Sequence, residues 1–163
     1  MRRRFRHSFL AFGILAACTL SAASAPAQEI NPLKKSVARV YGNIAALTAY
    51  LGVCGISDAK KAESFAAALK SYREEVAPVL ERMDTVLRDS LKREGDTASD
   101  PARMYAAADN AAVKRIEDLR NKHPDEFGLL CDGILKIARE RTAEFAPLAE
   151  RFPDEMRMIE DWR

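Results

Sequence analysis

Histidine, aromatic residues and breakers of regular structure are all scarce in this chain. Of its 163 residues, aromatics make up 7%, and glycine and proline number 7 each. That composition excludes a collagen-like repeat and a proline-rich linker protein. It also leaves too few flat side chains for a base-stacking nucleic-acid surface. The two histidines are His7 and His123, and no Glu-x-x-His pair, C-x-x-C-H haem attachment motif or EF-hand loop occurs, so the usual metal and haem ligand sets are missing. No G-x-S-x-G elbow is present, and a Ser-His-acid set would have to rely on His123. Carboxylate pairs such as Glu74-Glu75 and Asp125-Glu126 are adjacent in sequence, which points them apart on a helix and leaves them as solvated charges. No catalytic, cofactor-binding or metal-binding residues are assigned, and the chain is expected to act without catalysis.

What is present begins with an address. Arg2, Arg3, Arg4 and Arg6 precede an uncharged apolar stretch from Phe9 to Leu20, and Ala25-Pro26-Ala27 closes a small-residue segment. This is the layout of an export signal cleaved after residue 27, and the apolar stretch is short for a permanent span, which needs about 20 residues. The alternative is a retained N-terminal anchor. A third outcome rests on Leu15-Ala16-Ala17-Cys18, which resembles the lipobox of bacterial lipoproteins. Lipidation of Cys18 would make the protein an outer-membrane lipoprotein rather than a soluble periplasmic or secreted one. Cleavage also changes the charge. The whole chain carries 26 basic and 24 acidic residues. Without the four signal arginines it has 22 basic residues against 24 acidic, a net charge of −2. Nucleic acid is therefore not an expected partner.

Cys54 and Cys131 remain in residues 28–163, which read as a single domain. Two cysteines in an exported chain are most simply a disulfide; two separately buried thiols are the alternative. Neither sits in C-x-x-C, so a thioredoxin-like role has no support.

The rest reads as helix. Asn31 followed by Pro32 is a cap and first-turn signal. Leu33, Val37, Val40, Ile44, Leu47, Leu51 and Cys54 alternate steps of four and three, the seam of a helix packed lengthwise on a partner. Gly55 is expected to close this helix in the left-handed conformation. A second helix starts at Ser57 or Asp58 and buries Phe65, Leu69, Tyr72, Val76, Val79, Met83 and Val86, with Pro78 predicted to kink it. After the polar stretch from Lys92 to Asp100, Asp100-Pro101 opens a third helix. Its alanines (106 to 108, 111 and 112) predict close approach in a tight groove. A fourth helix runs from Asp125 through Phe127, Ile134 and Ile137 to Phe145, Leu148 and Phe152, and Pro153 restarts a short one to Trp162. The fold class is all-α: an antiparallel four-helix bundle with an extra C-terminal helix and one Cys54–Cys131 disulfide. A weak echo between Glu75–Arg82 and Glu144–Arg151 hints at duplication of a helical hairpin.

Two features are candidates for more than scaffold. Arg141 falls near the apolar seam of the fourth helix, where it would snorkel to the edge, form a buried ion pair or hold an anionic ligand. Met156, Met158, Ile159 and Trp162 form an amphipathic C-terminal segment that either closes the bundle or meets a protein partner. The expected function is binding: an envelope interaction, chaperone-like or stress-associated factor with a protein partner. The alternatives are a cofactor or small-ligand carrier of cytochrome-bundle shape and a Cys18-anchored assembly subunit.

Overall fold

The computed structural model describes residues 31–163, so the signal segment and Cys18 lie outside the described residues. The described chain is helical throughout its regular structure: α1 (Pro32–Ser57), α2 (Ala62–Arg93), α3 (Pro101–Lys122), α4 (Pro124–Glu140), a 3-10 turn (Ala143–Phe145), α5 (Leu148–Arg151) and α6 (Pro153–Glu160).

The start of α1 follows from its cap. The Asn31 carboxamide oxygen accepts from the Leu33 amide at 2.9 Å. Its amino group donates to Ser90 at 3.1 Å and to Glu94 at 2.7 Å. One residue therefore satisfies an orphan amide of α1 and ties that end to the last turn of α2. Lys34 adds an ion pair to Glu94 at 2.5 Å. At the other end α1 runs past Gly55 to Ser57. Contrary to expectation, Gly55 does not terminate the helix and is not left-handed; it lets α2 come close, because a Cβ there would stand 3.1 Å from the Cβ of Phe65. Asp58 ends α1 and accepts from the Lys60 amide, and α2 begins after a turn, at Ala62.

The whole predicted α1 seam, from Leu33 to Cys54, is buried, and so are Ala45, Ala49 and Val53 on other faces. Alone among the described helices, α1 is long and apolar enough to cross a membrane. Here it is the axis on which α2, α3, α4 and α6 all pack. Burial on several sides explains its all-round apolar character.

Sequential long helices run antiparallel. Asn31 meets Glu94 at one end of the α1–α2 pair, and Gly55 meets Phe65 at the other. The third helix departs from the expected packing. It lies along α1, where Tyr105 stacks on Tyr41 with ring centroids 4.2 Å apart, and barely touches α2. Only Pro101 and Ile116 of α3 are buried, and Ala106, Ala107 and Ala111 are exposed. The alanines do not fill a tight groove. The small α3 side chains leave it a thin outer helix with a gap between itself and α2.

The disulfide joins Cys54 of α1 to Cys131 of α4 with their Cα atoms 5.5 Å apart. Beside it, Lys61 bridges Asp58 and Asp132, so an ion triad lies next to the covalent staple.

The fourth helix is shorter than its apolar pattern implies. It stops at Glu140, Arg141 takes the left-handed conformation (φ 57°), and the Thr142 amide closes the end on the Ile137 carbonyl at 3.2 Å. Proline explains why the chain does not resume helix at once: Pro147 bars the residue before it from the α region, and Ala146 is extended (φ −63°, ψ 157°). Phe145 and Leu148 still reach the core as predicted, but from a turn and a short helix. The α6 helix then packs on α1 and α2. Glu155 pairs with Arg39, and the Ser36 hydroxyl donates to the Met158 sulfur. The octapeptide echo is not a structural repeat: Pro78 sits inside continuous α2, whereas Pro147 sits between two short elements.

Candidate docking groove

The gap between α2 and α3 opens onto α1. Its floor is an α1 stripe that includes Ala45, Thr48, Ala49, Gly52 and Ile56. The spacing returns to the same side of the helix every three or four residues. This stripe lies beside the seam, and the seam residue Ile44 also lines the hollow. Leu69, Val76 and Leu80 form the α2 wall, and Val113 is the apolar residue of the α3 wall. The hollow is about 560 Å³. Ile56 at one end is 82% exposed and Val113 is 40% exposed. A Cβ on Gly52 would meet nothing within 4 Å, so the floor is open at that position, while Ala45 and Ala49 are buried.

The rim is charged. Arg73 stands on the α2 wall, and Asp109 and Glu117 flank Val113 on the α3 wall. The Tyr41 hydroxyl, at the end of the groove, lies 3.0 Å from both oxygens of Asp109 and donates to that carboxylate. Burial first, and then this carboxylate, push the Tyr41 hydroxyl well above the ordinary tyrosine range, so it remains a donor. Arg73 and Glu117 make no ion pair among the described residues. A second hollow, about 670 Å³, lies over the disulfide at the end of the molecule and carries Lys60 and Arg120.

The residues singled out from sequence lie elsewhere. Arg141 is not in the apolar seam. It ends α4, its side chain is 44% exposed, and it pairs with Glu75 of α2 at 2.5 Å. This is a partly exposed ion pair at the edge of the core. The C-terminal segment closes the molecule: Met156 and Ile159 are buried, and only Met158 is 39% exposed. The Trp162 indole donates to Asp89 at 2.9 Å and lies under the Arg93 guanidinium at 5.2 Å. Arg82 donates to the carbonyls of Ile159, Glu160 and Trp162, at 3.1, 2.9 and 2.6 Å. A cation on these orphan carbonyls caps α6 and fastens it to α2. His123 is exposed at the junction of α3 and α4, and among the described residues no three His, Cys, Asp or Glu side chains are grouped to hold a metal.

The groove was not foreseen from sequence. The available signal was the second apolar stripe on α1, whose residues (Ala45, Ala49, Val53, Ile56) lie outside the seam. Comparison of the chain with known proteins finds no matching family model, no matching curated protein and no matching solved structure.

Proposed function

We propose that the protein is an exported, disulfide-locked helical module of the cell envelope that acts by binding rather than by catalysis, and that it receives an apolar segment of a partner protein in the α1–α2–α3 groove. One observation carries this reading: α3 packs on α1 and barely touches α2, so a hollow opens between α2 and α3 where Thr48 and Gly52 of the central helix are half-buried and Ile56 and Val113 are exposed. Covering such a hollow stabilises a complex by roughly 25 cal/mol per Å² of apolar area removed from water, less the cost of association. The export reading rests on the N-terminal basic and apolar segments and on the Cys54–Cys131 bridge, a bond that persists in oxidising compartments.

The test is site-specific photocrosslinking in the native envelope. A photoreactive residue at Thr48, inside the groove, is expected to give an adduct that the same residue at exposed Thr142 does not give. That adduct should disappear when Gly52→Phe fills the floor. Identical adducts from both positions, or an adduct indifferent to Gly52→Phe, would remove the proposal.

A further inference from the structure

The groove selects its occupant by backbone chemistry and by charge. Resting on the docking reading above, we infer that the occupant is an amphipathic α-helix of a partner protein, with two basic side chains two turns apart along the edge that meets α3. The first reason is hydrogen bonding. Helices form the floor and both walls, and apart from the bond lost at Pro78 the backbone groups of their interiors are already paired within them. An extended peptide laid in this groove would bury amides and carbonyls with nothing to pair them, which costs more than its apolar contacts return. A helix satisfies its own backbone and presents only side chains. The half-buried floor positions Thr48 and Gly52 carry small side chains, with Ala45 and Ala49 buried beside them, and let a helix axis approach closely. The stripe from Tyr41 to Ile56 is about 22 Å long at 1.5 Å per residue, the length of four helical turns.

The second reason is charge. Asp109, Val113 and Glu117 fall at i, i+4 and i+8 on α3, which sets the two carboxylates on one wall, about 12 Å apart, with an exposed valine between them. Tyr41 holds the Asp109 carboxylate at the rim. A helix whose apolar face covers the floor brings its edge residues to this height, and lysine or arginine two turns apart on that edge would reach both carboxylates. The opposite wall carries Arg73, which favours an acidic residue on the other edge. Two carboxylates on one wall disfavour a fatty acid or an anionic lipid tail in the same trough, because like charges raise the cost of burial.

The experiment uses the exported chain with its disulfide intact and three fluorescent peptides, each about 18 residues, enough for four or five helical turns. The first has an apolar stripe and two lysines two turns apart on one edge. The second carries glutamate at those two positions. The third keeps the lysines but has serine in the stripe. Fluorescence anisotropy is expected to show the first binding about tenfold more tightly than the second, the effect of two rim ion pairs. The third should not bind. Glu117→Gln, which removes no ion pair or side-chain hydrogen bond among the described residues, should narrow the gap between the first two peptides, and Asp109→Asn with Glu117→Gln should close it. Gly52→Phe should abolish binding of both. Equal binding of the lysine and glutamate peptides, lost in Gly52→Phe, would overturn the charge inference and leave the groove reading standing. Charge-selective binding that survives Gly52→Phe would overturn both, as would no binding at all.

Discussion

A Cβ on Gly55 would stand 3.1 Å from the Cβ of Phe65, whereas one on Gly52, in the same helix, would meet nothing within 4 Å. Phe65 is fully buried, on the facing turn of α2. The two glycines therefore do different things, although both weaken α1 by about 1 kcal/mol relative to alanine through backbone entropy. Gly55 allows two helices to touch, and Gly52 leaves a trough unfilled.

Gly52→Ala is accordingly expected to stabilise the protein by about 1 kcal/mol, the helix-propensity difference with no steric cost. Gly55→Ala should show no such gain, because the methyl group forces α2 outward at Phe65. Chemical denaturation of the two variants side by side checks this. A gain at Gly55 equal to that at Gly52 would mean that the α1–α2 approach is looser than the geometry implies.

The disulfide closes a 77-residue separation, and the chain-entropy model gives such a loop about 4–5 kcal/mol. Replacing both cysteines by alanine should cost about 2–5 kcal/mol, a large part of a typical domain's stability. The melting temperature of the double variant should match that of the reduced wild type. If both melt with the oxidised protein, the bridge contributes nothing and the ion triad around Lys61 holds that end.

Trp162 is the chain's one tryptophan, so its fluorescence reports on the C-terminal strap. The hydrogen bond from Trp162 holds the Asp89 carboxyl below its usual range; burial opposes the shift, and Arg93 adds to it. A lowered folded-state pKa means that this contribution is fully present above the ordinary aspartate value, near pH 4, and is lost as pH falls through the lowered one. Acid titration should therefore shift the Trp162 emission below about pH 4, before or with global unfolding. Asp89→Asn should show the altered emission already at neutral pH or lose the acid step. A wild-type step centred well above pH 4 would show that some other group governs the strap.

Ala143 has a φ of 48° and follows Arg141 at 57°. Positive φ strains residues with a Cβ, by about 1–3 kcal/mol in the least favourable cases. Ala143 is exposed, so Ala143→Gly loses little packing and should stabilise the protein by about 0.5–1 kcal/mol. Equilibrium unfolding measures it directly, and destabilisation would mean that the Ala143 methyl makes a contact that matters.

The fold was legible to different depths at different places. Asn31-Pro32 and Asp100-Pro101 both start helices as read, because a side-chain acceptor beside a residue lacking an amide is a local signal. The α1 seam and the Cys54–Cys131 bridge were equally plain, since periodicity and cysteine count do not depend on neighbours. The end of α4 was not. Phe145 and Leu148 continue the apolar pattern, and burial alone cannot say whether a turn or a helix delivers them.

The segments Glu75–Arg82 and Glu144–Arg151 make the division clear. Their sequences share the order of glutamate, alanine-proline and closing glutamate-arginine. The first is continuous helix and the second is a turn and a short helix. In α2, Phe65, Tyr72, Val76 and Met83 are all buried on both sides of Pro78, and that packing outweighs the lost hydrogen bond and ring clash of an internal proline. No comparable helical seam spans Pro147, so there the proline prevails. By itself the sequence determined the all-helical class, the Asn31 and Asp100 caps, the apolar face of α1 and the cysteines available to pair. The tertiary structure decided which proline breaks the chain, where Arg141 points and that α3 lies on α1 apart from α2. Each of these outcomes is a competition between a local preference and burial against a distant partner, and only the packed chain contains both terms.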